Sequence, residues 1–170
     1  METIETTGTH ENGYETKNEG TPSQVEIQRT VLREVRAVYR GKKKGWSHIR
    51  TAENAAEAIR KVIPDNSREH FVCLYLNGAH ELVAYAITAT GTANSCRVHP
   101  REVFQMAVLV GAVAIIIGHN HPSANVTPSE DDRHLTKVLK NGADLLGVKL
   151  LDHIVVTDRQ KHSFVDNGGL

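Results

Sequence analysis

Residues 113–122, with the sequence VAIIIGHNHP, decide the fold of this chain. The apolar run at 113–117 is rich in β-branched side chains and is followed by Gly118, which predicts a short buried strand. His119 and His121 come where this strand leaves the sheet. Residues i and i+2 of an extended segment point to the same side, so both imidazoles can converge on one metal ion while Asn120 faces away.

A helix is predicted a few residues after the two histidines. Thr127 is the candidate N-cap, Pro128 fits the first helical position and Glu130 follows at N3. Ser129 and Asp132 are three residues apart in the first turns, which places them about 60° apart around the helix axis. Both side chains can therefore face the strand exit, and Asp132 is the candidate third metal ligand.

Two histidines and one carboxylate are the ligand set of an open zinc site. A tetrahedral ion with three protein ligands keeps one position for water, which is typical of catalytic rather than structural sites. Bound zinc lowers the pKa of that water to about 7 and so provides a nucleophile at neutral pH. The sequence therefore predicts Zn²⁺ as the cofactor, with a general base still to be identified.

Two other classes of metal enzyme fit this chain less well. Barrel hydrolases also use His-x-His, but such barrels need at least about 200 residues and this chain has 170. Zinc deaminases pair H-x-E with P-C-x-x-C, and neither pattern occurs here.

The spacing of His119, His121, Ser129 and Asp132 is H-x-H-x7-S-x2-D. In this respect the chain resembles the JAMM/MPN metalloproteases. Three flanking phrases resemble the RadC branch of that superfamily: VHPREVF at 98–104, GHNHPS at 118–123 and LDHI at 151–154. The resemblance covers about residues 52–170, with one departure at Ala124, where the family phrase has Gly.

The resemblance implies roles for further residues. Glu69, ahead of an apolar strand at 71–76, corresponds to the JAMM glutamate that holds and deprotonates the zinc water. Glu102 is the alternative, because it lies in a predicted helix that leads into the histidine strand. Ser129 would donate a hydrogen bond to the developing oxyanion, although a hydroxyl at a helix terminus can also bond its own backbone. His153 is expected to support a ligand rather than to be a fourth one.

The implied activity is a zinc-dependent hydrolase that cleaves peptide or isopeptide bonds, in a family linked by name to DNA repair. Residues 29–50 are rich in Lys and Arg, which can bind a phosphate backbone, and Trp46 could stack on a base. A solvated strand and loop explains the same charges. Two alternatives stay open: a DNA-associated accessory protein with a structural or vestigial metal site, and a metal-dependent nuclease.

Composition and patterning divide the chain into three parts. Residues 1–24 are polar and predicted to be disordered, 25–50 form the basic extension, and 51–170 form the metal-binding domain. Cys73 and Cys96 lack C-x-x-C spacing, and no secretory or membrane-spanning apolar segment is present. A cytoplasmic protein with free thiols and a formal net charge of zero is therefore expected.

The remaining signals predict an α/β fold with a mixed sheet flanked by helices. In agreement, the resemblance implies the JAMM/MPN, cytidine-deaminase-like α-β-α sandwich. The predicted elements are a helix at 52–63, strands at 71–76 and 81–90 joined at Asn77-Gly78, a strand approaching Val98, a helix at 100–111, the ligand helix to Gly147, a strand at 148–156 and a short strand near Phe164.

Overall fold

The structure is a computed structural model that describes residues 48–92 and 97–170. The predicted tail, most of the basic extension and Cys96 lie outside the described residues. The described residues form three helices and five strands: α1 Ala52–Val62, β1 His70–Leu76, β2 Leu82–Thr90, α2 Pro100–Leu109, β3 Ala114–Asn120, α3 Glu130–Leu146, β4 Lys149–Val156 and β5 Lys161–Ser163. None of these helices is long and apolar enough to span a bilayer.

The strands form one mixed sheet with the order β2-β1-β3-β4-β5. β3 and β4 are parallel, and the other neighbouring pairs are antiparallel. β1 and β3 are buried along their whole length, which explains their continuous apolar sequences, because a strand covered on both faces has no polar side. The predicted α/β class with a mixed sheet and flanking helices is confirmed.

Each face of the sheet has its own hydrophobic core. On one face α1 packs Ala55 and Ile59 against alternate residues of the central strands such as Val72. On the other face, α2 and α3 pack against the remaining alternate residues of the central strands, such as Ile117, and contribute Phe104 and Leu139 to the core. The site described below lies on the α2/α3 face.

Gly118 allows the closest approach of β3 to its neighbours. A Cβ atom at this position would lie 2.6 Å from the backbone oxygen of Ile154 in β4, and it would also collide with Ile59 Cδ1 of α1. Only glycine fits without a shift of the backbone, so α1 and β4 hold the residue before His119 firmly.

Two local predictions need correction. The N-cap of α3 is Ser129 and not Thr127, because the Ser129 and Asp132 side chains each bond the other's backbone N–H in a capping box. The β1–β2 hairpin forms, but its loop extends to Glu81 and His80 takes the left-handed conformation at φ 59°. The strand predicted to approach Val98 falls largely on residues 93–96, which lie outside the described residues, and 97–99 are not in a strand.

Candidate metal centre

The end of β3 brings the two histidines together. His119 is the penultimate residue of the strand and is 3% exposed, while His121 follows directly after the strand. Their Nε2 atoms lie 2.9 Å apart, and the ring centroids are 4.7 Å apart. The alternation of an extended backbone therefore places both imidazoles on the α3 side of the sheet.

Asp132 reaches the same point from the first turn of α3. Its Oδ1 lies 3.2 Å from His119 Nε2, and its Oδ2 lies 3.7 Å from His121 Nε2. A tetrahedral zinc with Zn–N bonds of about 2.05 Å keeps its ligand atoms about 3.3 Å apart. The three separations bracket this value, so His119, His121 and Asp132 form a group that could bind a metal ion.

The charges at this point favour a cation. Burial opposes ionisation of Asp132, but its polar contacts with the His119 and His121 rings outweigh this effect and hold the pKa of Asp132 well below its ordinary value. The Asp132 carboxylate, 3.7 Å from His121 Nε2, in turn raises the pKa of His121, against the opposing effect of burial. An anionic carboxylate thus faces two imidazole nitrogens in a partly buried site.

Ser129 lies beside the carboxylate as the N-cap of α3. Its hydroxyl donates to Asp132 Oδ2 at 2.6 Å and accepts from the Asp132 N–H at 3.1 Å. The Ser129 N–H also donates to Oδ2, at 2.8 Å. These bonds match the capping alternative, and the oxyanion role stays a prediction that requires the exposed hydroxyl to turn away from Asp132.

Glu69 lies close enough to His119, His121 and Asp132 for their charges to shift the pKa of its carboxyl. Burial raises the pKa of Glu69, while the positive potential of His119 and His121 opposes this effect, so its carboxylate is within electrostatic range of the site. Its N–H donates to Thr92 O and its carbonyl accepts from Gly91 N–H, both at 2.9 Å, which continues the β1–β2 pairing. Glu102 is exposed in the first turn of α2.

Asn120, between the two histidines, holds both neighbours of Glu69 from the opposite face of the sheet. Its Oδ1 accepts from the His70 N–H at 2.8 Å, and its Nδ2 donates to Arg68 O at 2.9 Å and to Asn66 Oδ1 at 2.7 Å. The sequence indicated only that Asn120 faces away. No local pattern could reveal its partners, because they lie 50 to 54 positions earlier in the chain.

His153 supports His119 from behind, as expected, and does not reach the ligand point. Its Nε2 is 3.0 Å from His119 Nδ1, and its Nδ1 is 2.7 Å from the Thr136 hydroxyl. Sequence reasoning missed Thr136. The available signal was its position four residues after Asp132, which places it on the same face of the helix.

Ala124 adopts a conformation that glycine favours. Its φ is 60°, in the left-handed region, within the turn where its N–H donates to His121 O at 3.1 Å. The next residue, Asn125, accepts a hydrogen bond from His121 Nδ1 through its carbonyl oxygen at 2.7 Å. The departure from the expected Gly therefore strains the loop, by about 1–2 kcal/mol, and leaves the two histidines together.

Residues 49–170 match a family model described as the RadC-like JAB domain. The chain is 40% identical over 119 residues to a UPF0758 protein of Chlorobaculum parvum, covering 70% of this chain and 54% of that protein. It is 44% identical over 105 residues to a UPF0758 protein of Xylella fastidiosa, covering 62% and 47%. A UPF0758 protein of Staphylococcus haemolyticus is 39% identical over 120 residues, covering 71% and 53%. The chain spans about half the length of these curated relatives.

Proposed function

The chain belongs to the family of RadC-like JAB domains, and on that premise we propose that it is a zinc-dependent hydrolase of the metallopeptidase or isopeptidase type. His119, His121 and Asp132 hold the ion. Glu69 acts as general acid and base, and Ser129 donates to the oxyanion. The observation that carries the proposal is the meeting of two imidazole nitrogens, 2.9 Å apart, with a carboxylate of strongly lowered pKa.

The donor set fits zinc in a catalytic rather than a structural setting. Two nitrogens and one oxygen are ligands that zinc accepts, and three protein ligands leave one position for water or substrate. When bound, zinc supplies Lewis acidity, which lowers the pKa of a coordinated water to about 7 and polarises a carbonyl group.

Glu69 has the properties that a proton carrier at this site needs. Burial raises the pKa of its carboxyl, and a general base is most effective when its pKa approaches the working pH. Glu69 takes a proton from the attacking water and passes it to the leaving amine. This transfer completes the hydrolysis of an amide bond, which is the substrate class that the resemblance implies.

Ser129 donates a hydrogen bond to the oxygen of the reacting carbonyl group. Its hydroxyl has one proton, which now goes to Asp132. Because Ser129 is exposed, its hydroxyl can turn toward a substrate while its oxygen continues to accept from the Asp132 N–H. A donor aimed at a developing oxyanion contributes to the rate only as that charge forms.

The first experiment is elemental mass spectrometry of the purified chain. Wild type should contain near-stoichiometric zinc, and His121→Ala and Asp132→Ala should lose it. Asp131→Ala and His134→Ala are matched controls, because each removes the same type of side chain from an exposed neighbouring position, and both should keep the metal. A wild type that is free of metal and takes up no added zinc would contradict the proposal.

Activity separates the roles of the two glutamates. Screening peptide, isopeptide and phosphodiester substrates with the zinc-loaded chain should yield turnover of an amide bond. Glu69→Gln should abolish this turnover and retain zinc, while Glu102→Gln should retain both. Phosphodiester cleavage that chelation removes would favour the nuclease, and turnover in Glu69→Gln would exclude Glu69 as the base.

Nucleic-acid binding through residues 29–50 remains a separate proposal. Of this segment only residues 48–50 are described, so its support is the basic sequence alone. If it binds a phosphate backbone, affinity should fall steeply with salt and should survive Asp132→Ala. Reversing the charges of Lys42, Lys43 and Lys44 should abolish it, and unchanged binding would contradict this role.

A further inference from the structure

We infer that Thr136 and His153 are positioning residues of the metal centre, which fix His119 in the tautomer that presents a bare Nε2 to the ion. The inference rests on the metal site of the proposed function. Both residues lie behind the ligands, in a chain of hydrogen bonds that runs from Thr136 through His153 to His119.

The chain of bonds begins with a single hydroxyl proton. Thr136 Oγ1 lies 2.6 Å from the backbone oxygen of Asp132, four residues earlier in α3. A carbonyl oxygen can only accept, so the Thr136 proton is used there. The 2.7 Å contact between Thr136 Oγ1 and His153 Nδ1 must then have the ring nitrogen as donor.

His153 transmits this choice because it is neutral. Its side chain is completely buried, stacked on Phe164 with centroids 4.7 Å apart and edge-on to Phe71. Its two nitrogens contact the Thr136 hydroxyl and the His119 ring, neither of which is an anion, and a charge buried without a partner of opposite sign is strongly disfavoured. A neutral ring that carries its proton on Nδ1 has an Nε2 that can only accept.

The next contact sets the tautomer of the ligand. His153 Nε2 lies 3.0 Å from His119 Nδ1, so Nδ1 of His119 is the donor and carries the proton. With zinc bound, His119 Nε2 is then the bare nitrogen; without the ion, the same atom can share a proton with Asp132 Oδ1, 3.2 Å away. Second partners of this type orient metal-binding histidines and fix their tautomers in other zinc sites.

His121 is also protonated on Nδ1, and a single hydrogen bond fixes this tautomer. Its Nδ1 lies 2.7 Å from Asn125 O, a carbonyl that can only accept, so the proton is on Nδ1 and Nε2 is turned inward. Two inward-facing nitrogens 2.9 Å apart need a proton or a metal ion. Because Thr136 also bonds the Asp132 backbone, one buried network connects His119 with the ligand on α3.

A purely structural role for the buried pair makes a different prediction. If Thr136 and His153 only provide each other with a hydrogen-bond partner in the core, replacing both with apolar groups of similar shape should leave the folding and the zinc affinity of the chain unchanged. Such paired replacements can be nearly neutral for stability. The double variant Thr136→Val/His153→Phe therefore separates folding from positioning.

The affinity test uses zinc alone and the full chain. Competition with a chromophoric chelator should give zinc affinities about 10–100-fold weaker in Thr136→Val and in the double variant than in wild type. Thr136→Ser keeps a hydroxyl and should restore affinity close to that of wild type. Thermal unfolding checks that each variant is folded. Wild-type affinity in a folded Thr136→Val and in the double variant would overturn the inference.

A second measurement needs neither variant nor metal. Nitrogen NMR of the ring signals of metal-free wild type should show His119 and His153 protonated on Nδ1. A His119 ring that carries no proton on Nδ1 would overturn the inference even if zinc binds. If wild type binds no zinc, the proposed function fails, and the ring signals alone decide whether the network sets the tautomer.

Discussion

Replacing Asn120 with alanine tests whether this side chain holds Glu69 in place from the far side of the sheet. Asn120 is 3% exposed, and its amide bonds the residue before Glu69 and the residue after it. The hydrogen bond that Asn120 accepts from the His70 N–H, at 2.8 Å, can be followed directly through deuterium exchange of that amide.

The structure sets the size of the expected effect. His70 is 4% exposed, so in Asn120→Ala its N–H loses its acceptor where water has little access. A buried donor without a partner costs about 1–3 kcal/mol. A cost of about 2 kcal/mol corresponds to an opening equilibrium about 30-fold more favourable. Deuterium exchange at the His70 amide should therefore be about 30-fold faster.

Hydrogen exchange followed by NMR measures this amide together with the global stability. Asn66→Ala is the matched control, because it removes only the bond that Asn120 Nδ2 donates to the exposed Asn66 side chain. The bond from the His70 N–H to Asn120 remains, so the His70 amide should stay protected. Zinc affinity should be unchanged in Asn120→Ala, since Asn120 faces away from the ligands. Unchanged exchange at His70 would refute the reasoning. A loss of zinc binding as complete as in His121→Ala would also refute it.

Four further outcomes are expected. Ala124→Gly should raise the free energy of unfolding by about 0.5–1 kcal/mol, because relief of the left-handed strain exceeds the entropy cost of glycine. Urea denaturation measures this free energy, and a variant less stable than wild type would contradict the prediction. Gly118→Ala should cost about 1–3 kcal/mol by overpacking against β4 and α1, whereas Gly78→Ala, which meets nothing within 4 Å, should cost far less; equal effects would disprove the close-packing argument. Zinc at about a hundredfold its dissociation constant should stabilise the chain by about 2.7 kcal/mol, an effect that a chelator reverses in thermal unfolding and that a chain without a metal site would not show. Burial raises the pKa of Cys73 to about 12, so its thiolate is scarce at pH 8. In a Cys96→Ser background, a disulfide reagent should therefore react with Cys73 only after unfolding. Rapid reaction of the native chain would be inconsistent with this burial.

The features that could be predicted from sequence depend on local geometry. The period of two along β3 puts His119 and His121 on one side, and the first turn of α3 presents Asp132 to them. The apolar run at 113–117 predicts a strand buried on both faces, and the α/β class follows from the order of such segments. The resemblance to the RadC branch rests on the same local phrases and is confirmed by the family match over residues 49–170.

Other features could not be predicted because they depend on which distant segments become neighbours. The N-cap of α3 is an exception, because Thr127 and Ser129 are both chemically suitable and the choice was settled by Asp132, only three residues after Ser129. Glu69 and Glu102 are equivalent as sequence, but β1 pairs with β3 and so delivers Glu69 to the histidines. Thr136 and His153, 17 positions apart, meet because α3 returns the chain to β4 beside β3.

The amino-acid sequence by itself determined the ligand types, their spacing and the class of fold, since these follow from backbone periodicity within a few residues. Only the tertiary structure decided that Glu69 lies within electrostatic range of the candidate ligands and that Asn120 bonds the residues on either side of Glu69. The Asn120 contacts join segments 50 to 54 positions apart, and their geometry is set by the strand order β2-β1-β3-β4. That order buries the central strands β1 and β3 between the helices, a cooperative property that no single segment carries.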